Sequence, residues 1–176
     1  TLNSRRVAIE LARQLKGILT DFNLIVAHLG GGFDVSFFER GRIIESLGYN
    51  DLGFSPDRCG ALQFDDLLAL EDRLPPSDFW ALNHGKGGLV SHFGTADMQE
   101  VEAMIKEGNE EAKLVYEAMF YRLSQLIGCG AVALKGKVDG IILTGGGAHS
   151  DYICSLIEDR VKFIAKVYRF AGELEL

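Results

Sequence analysis

Long hydrophobic runs are missing from this sequence. No apolar stretch approaches the ~20 residues needed to cross a bilayer, and no basic-then-apolar leader opens the chain. Positive charge is short as well: 18 Lys and Arg face 25 Asp and Glu, a formal net charge of −7. That balance argues against non-specific nucleic-acid binding, which needs a basic face. It does not exclude a nucleotide, whose phosphates can be held by backbone N–H groups. Cysteine is scarce. Cys59, Cys129 and Cys154 are odd in number and far apart, so they offer neither a metal-ligand spacing nor a disulfide framework. Reduced thiols in a cytoplasmic protein are the expected reading. The four histidines, His28, His84, His92 and His149, are dispersed, with no pair at metal-binding helical spacing.

What is present suits one domain with a substantial core: 176 residues, 47% of them hydrophobic and 24% charged. "SRRVAIELARQLKGI" places Val7, Ile9, Leu11, Ala12, Leu15 and Ile18 largely on one helical face, with Asn3 or Ser4 as N-cap. "NLIVAHL" is a short, fully apolar run, the pattern of a strand covered on both faces. "FDVSF" alternates and "RIIESL" returns after the turn at Gly41, so residues 23–47 predict a three-stranded antiparallel meander. A loop follows, then a short helix in "FDDLLALEDRL" ended by Pro75 and Pro76, and a second glycine-rich connection, "NHGKGGLVSHFGTAD". Asp97 and Asn109 are placed to cap two further helices, the second carrying the apolar stripe Ala112, Val115, Ala118, Met119, Leu123 and Leu126. "VDGIILTGGGAHS" is strand then turn, "DYICSLIEDRV" a helix with Ser150 as its cap, and "KVYRF" a last strand. A meander joined to strand–helix–strand predicts a mixed sheet with helices on its faces.

Two glycine clusters end strands of the buried type: "HLGGG" and "TGGGAHS". Successive glycines expose converging N–H groups, an anion-binding nest, and the second cluster also opens a helix, whose N-terminus favours a phosphate. Either would also serve as an ordinary tight turn; two at strand ends in one small domain favour the anion. Neither is a Walker sequence, and "GCGAVA" (128–133) follows a helix rather than a strand, the wrong context for a dinucleotide fingerprint.

Taken together, "NLIVAHLGGG", "FSPDRCGAL", "GKGGLVSHFGTADMQEVEAMI", "EEAKLVYEAMFYRLSQLIG" and "GKVDGIILTGGGAHS" resemble, in family order and over nearly the whole chain, the butyrate kinase branch of the acetokinase family. That family belongs to the actin-like ATPase superfamily. The resemblance implies an RNase H-like α/β fold. It implies that residues 1–176 form a single domain, the C-terminal, nucleotide-binding lobe of a two-lobe kinase. The other lobe would supply a further phosphate-binding hairpin, an aspartate and part of the carboxylate pocket. The implied reaction is reversible: ATP plus a short-chain carboxylate, butyrate or a branched acid, gives ADP and an acyl phosphate. A homodimer of the longer protein is implied too.

By the same resemblance, Gly30, Gly31 and Gly32 offer N–H donors to phosphates, and His28 hydrogen-bonds the transferring phosphoryl group or the acyl-phosphate oxygen. Arg58 in "SPDRCG" lies near that group, where a guanidinium fork matches its spread charge. Gly145, Gly146 and Gly147 let adenosine lie against backbone. Glu173 in "AGELEL" is the acidic residue near Mg²⁺, which prefers hard oxygen ligands. Lys86 in "HGKGGL" and Asp139 are expected to shape loops, and His84, His92 and His149 to be structural or at the surface. There are departures from the family pattern: Gly147 stands where leucine is common, "AGELEL" replaces a motif beginning Pro-Gly-Glu-Asp-Glu, and Asp34 stands where a small residue is usual. An aspartate facing phosphates would repel them. A degenerate, non-catalytic ATP-binding module is therefore the alternative. A sugar-kinase-like enzyme would need a general base for its alcohol, and no compelling one is present; a carboxylate acceptor needs none.

Overall fold

The apolar run at 24–29 becomes β1 (Leu24–Leu29), the central strand of a five-stranded sheet ordered β3-β2-β1-β4-β5. Both its neighbours and both its faces are covered, so nearly every residue in it is buried. The computed structural model describes residues 2–48, 51, 53–71 and 73–173. The loop reading at Tyr49, Asn50 and Leu52, the end of the "FDDLLALEDRL" helix at Asp72, and the last three residues of "AGELEL" lie outside them.

β2 (Phe33–Glu39) and β3 (Arg42–Leu47) complete the meander antiparallel to β1, with an irregularity between Phe37 and Phe38. β4 (Gly140–Gly145) and β5 (Val167–Ala171) extend the other side in parallel. The mixed sheet expected from strand order is therefore present. Alternate side chains along β1 and β2 go to opposite faces. Ile25, Ala27, Leu29, Phe33, Val35 and Phe37 enter the larger core with the helices α5 (Met98–Lys106), α6 (Glu110–Ala133) and α7 (Asp151–Val161). Leu24, Val26 and Phe38 face the first helix, α1 (Leu2–Gln14), against Val7, Ala8 and Leu11.

Four details depart from the sequence reading. The α1 helix begins at Leu2, so Asn3 and Ser4 are buried inside its first turn rather than capping it. Pro76 opens a helix, α3 (Pro76–Leu82), after α2 (Phe64–Glu71); proline suits a first helical turn, where its missing N–H has no partner to lose. A short helix, α4 (Gly88–Phe93), lies inside the connection read as loop. Gly88 there is pinned by space: a Cβ would fall 1.7 Å from Ser55 O. Finally, α6 runs through Gly128 and Gly130 to Ala133. At Gly130 a Cβ would stand 2.8 Å from Ile25 Cδ1 and the Phe37 ring, so close packing on the sheet outweighs glycine's poor helix propensity.

The other three expected caps are there. Asp97 accepts from Gln99 N, Asn109 from Ala112 N and Ser150 from Ile153 N, each typically contributing about 1 kcal/mol. Asp139 ties the start of β4 to the start of β1, its carboxylate accepting from Asn23 N at 2.7 Å. No described helix is long and apolar enough to cross a membrane.

Candidate functional site

Because β1, β4 and β5 are parallel, their carboxyl ends meet at one edge of the sheet, the place where open α/β sheets bind ligands. His28 stands second from the end of β1. It is in register with Asp34 on one side and Thr144 on the other, so the three side chains share the α1 face. Its ring is held from beneath: Asn3 Nδ2, on α1, lies 3.2 Å from His28 Nδ1 and donates to Thr144 Oγ1 at 3.1 Å. The other ring nitrogen, Nε2, points outward, 3.8 Å from the Glu173 carboxylate. His28 and Glu173, 145 residues apart by number, therefore meet because β5 lies beside β4 and its end reaches across the sheet.

Gly30, Gly31 and Gly32 form the turn from β1 to β2. A Cβ at Gly30 would lie 2.9 Å from His28 Nε2, so only glycine leaves the ring edge clear. Gly31 is clamped by the "SPDRCG" loop: its carbonyl accepts from Asp57 N at 3.2 Å and from Ser55 Oγ at 3.0 Å. That loop lays Arg58 alongside Gly32, with its guanidinium bonded to the Asn83 carbonyl. Arg58 Nε is 3.1 Å from Asp57 Oδ1, an ion pair by distance, while that oxygen has no hydrogen-bond partner.

The second glycine cluster packs on the first turn. Gly145 has φ +88°, and a Cβ there would sit 2.7 Å from Leu29 O. Gly147 approaches the Leu29 side chain in the same way, at 2.9 Å. Around Gly146, by contrast, there is open space. It borders a cleft of about 420 Å³ walled by Asp97, Met98, Glu102, Gly147 and Ser150. In that wall Glu102 Oε1 accepts from Ser150 Oγ at 2.6 Å and from Tyr116 Oη at 2.9 Å. Burial, together with that bond to a carboxylate, pushes the Tyr116 hydroxyl well above its ordinary pKa, so it stays a donor.

All nine residues singled out from the sequence therefore gather along one edge: His28, Gly30, Gly31, Gly32, Arg58, Gly145, Gly146, Gly147 and Glu173. Asp34 joins them. Its Oδ1 is buried without a hydrogen-bond partner, and desolvation holds the carboxyl above the ordinary 3.8, the nearby His28 pulling the other way. Lys86 lies in the turn between α3 and α4, its N–H donating to Ala81 O, and Asp139 lies just before β4, bonded to Asn23. His84 stacks on Trp80, with ring centroids 3.7 Å apart. All three cysteines are free, and burial pushes the Cys59 and Cys154 thiols up, away from the thiolate. Sequence reasoning missed Asn3, Asp57, Glu102 and Thr144. Asn3 passed as a cap, Asp57 and Thr144 lay unremarked inside recognised motifs, and nothing local marks Glu102.

Comparison with known proteins agrees with this geometry. Residues 3–166 match the sequence model of the Acetokinase family. Butyrate kinase 1 of Clostridium acetobutylicum is 41% identical over 179 residues, covering 99% of this chain and 50% of that protein. Acetate kinase of Porphyromonas gingivalis superposes with a TM-score of 0.83 at 26% identity, over 93% of this chain and 42% of that one. A propionate kinase of Francisella tularensis subsp. tularensis SCHU S4 reaches 0.85 at 20% identity, over 99% and 52%, a likeness of fold. The expected RNase H-like, actin-like ATPase architecture is therefore present, and the chain spans about half the length of the relatives it matches. It belongs to the acetokinase family.

Proposed function

We propose that the chain is the nucleotide-binding, C-terminal lobe of an ATP-dependent carboxylate kinase that makes an acyl phosphate from butyrate or a branched short-chain acid. The observation that carries this reading is the meeting of His28, the Gly30–Gly32 turn, Arg58 and Glu173 beside the open cleft at Gly146. Adenosine would occupy that cleft against Gly145, Gly146 and Gly147, leading the phosphates toward the first turn.

In the reaction a carboxylate oxygen attacks the γ-phosphorus, and the bond to the bridging oxygen of ADP breaks as the new O–P bond forms. No proton has to be removed, because the acceptor is already anionic. The demand is to hold two anions together and to stabilise the charge spread over the transferring group. Backbone N–H groups of the Gly30–Gly32 turn would hold phosphate oxygens. His28 Nε2 and the Arg58 guanidinium would approach the moving phosphoryl group from two sides. Glu173, exposed at the rim of the site, offers one hard oxygen ligand, a donor that suits Mg²⁺ held otherwise by phosphate oxygens and water. When bound, Mg²⁺ would neutralise charge on the phosphates. The acid pocket and the second phosphate hairpin belong, in this reading, to a lobe outside this chain. Closure of the two lobes would exclude water as a competing acceptor.

Three free thiols fit a reducing, cytoplasmic setting. The longer protein is read as a homodimer; exposed Phe64, Leu68 and Trp80 offer apolar surface for assembly. Asp34 favours one alternative, a module that binds ATP without turnover, because it adds a carboxyl to the face that His28 uses. Desolvation raises its pKa, the direction that favours the uncharged carboxyl. The test combines the chain with its complementary lobe, ATP, Mg²⁺ and butyrate, and traps acyl phosphate with hydroxylamine. Turnover that falls sharply in His28→Ala while ATP binding persists supports the kinase. Binding without turnover in the unmodified protein supports the module.

A further inference from the structure

We infer that Asn3 and Thr144 are positioning residues that fix the tautomer of His28, keeping its proton on Nε2, the nitrogen that faces outward.

The inference follows a chain of donors that can be read in only one satisfactory direction. It starts at the Gly172 carbonyl, which accepts from Gly145 N at 3.0 Å and has a second lone pair. Thr144 Oγ1 lies 3.1 Å from that carbonyl and has one proton, which it donates there. Toward Asn3 the same hydroxyl must then accept, so the atom of the Asn3 amide that faces it at 3.1 Å is the nitrogen. The reverse amide orientation would bring the oxygens of Gly172, Thr144 and Asn3 together with a single hydroxyl proton among them. An Asn amide nitrogen carries two hydrogens. Its second hydrogen meets His28 Nδ1 at 3.2 Å, so Nδ1 is an acceptor and the neutral ring carries its hydrogen on Nε2.

The neighbours of the ring are consistent with this direction. A carboxylate at Nδ1 would select the opposite tautomer, as in acid–histidine pairs. Asp34, in register on β2, is the carboxyl that shares this face, yet its buried Oδ1 has no hydrogen-bond partner. Glu173, beyond β5, stands 3.8 Å from Nε2 on the other side of the ring, where a donor suits it. The arrangement is also tied to the second glycine cluster. Gly145 and Gly172 pair through both their backbone groups, so the carbonyl that starts the relay is set by the turn assigned to the nucleotide. The value of an Nε2–H donor to catalysis rests on the proposed phosphoryl-facing role of His28. The tautomer itself does not, and it can be read without substrate.

The test is nitrogen-15 NMR of the histidine ring in the 176-residue chain, at a pH where the ring is neutral. Expected is an unprotonated-type Nδ1 and a protonated-type Nε2 for His28. Thr144→Ser, which keeps the hydroxyl, leaves this pattern in place. Thr144→Val, nearly equal in shape, frees the amide to turn and gives a mixture of tautomers. Asn3→Asp puts a carboxylate at Nδ1 and inverts the pattern. Comparable thermal unfolding of the variants separates these shifts from loss of fold, and Thr144→Ser supplies the conservative control. A protonated Nδ1 in the unmodified chain overturns the inference. So does an unaltered Nε2–H pattern in both Thr144→Val and Asn3→Asp. Either result leaves the kinase reading standing, whereas loss of nucleotide binding with the predicted tautomer intact counts against that reading alone.

Discussion

Asp34 and His28 lie side by side in the sheet, yet their environments ask for opposite tests. Asp34 is a carboxyl whose folded pKa is raised, above all by desolvation. Its contribution to stability is thus present below the unfolded value of 3.8 and is lost as pH rises through the folded pKa. Asp34→Asn removes that loss, so thermal melts should show the variant gaining on the parent from acid to neutral pH. An equal difference at every pH contradicts the assignment. His28 carries the functional prediction: His28→Ala should lower turnover far more than it lowers ATP affinity, as titration beside steady-state rates will measure. Gly146 separates space from strain. With no atom near a Cβ and no positive φ, Gly146→Val should fold normally and lose nucleotide binding by filling the cleft.

At the scale of elements, the site rests on how closely the end of β4 approaches the end of β1. Gly145→Ala forces a side chain into a left-handed backbone, 2.7 Å from Leu29 O. Denaturant melts should show a loss of roughly 1–3 kcal/mol. Within the larger core, Leu123→Ala on α6 removes a buried side chain packed under the sheet, and a cost of roughly 2–5 kcal/mol is expected from the same measurement. These elements were largely legible in the sequence, because the apolar run of β1, the alternation of β2 and the spacing on α6 each mark a surface that must be buried. Two kinds of feature were not. Propensity alone stops α6 at Gly128, since the contact that carries it past Gly130 comes from Ile25 and Phe37, about a hundred residues earlier in the chain. Asn3 looks like a cap, because its partners, His28 and Thr144, become neighbours only when the sheet forms. The glycine clusters were readable because close backbone approach leaves one residue type possible; Glu102 was not, because a wall carboxylate has no local pattern.

At the scale of the whole molecule, one edge of one sheet carries two glycine turns, an imidazole, a guanidinium and a carboxylate, with an open cleft alongside. The chain spans about half the length of its relatives, and the proposed division of labour follows from that: nucleotide here, carboxylic acid and a second phosphate hairpin elsewhere. The most direct measurement takes the 176-residue chain alone with Mg²⁺, ATP and butyrate, and records nucleotide binding by calorimetry and acyl phosphate by hydroxamate formation, before and after the complementary lobe is added. The account predicts saturable nucleotide binding by the chain alone, lost in Gly146→Val, and acyl phosphate only after the lobe is supplied. Robust turnover by the isolated chain, or no nucleotide binding at all, would contradict it.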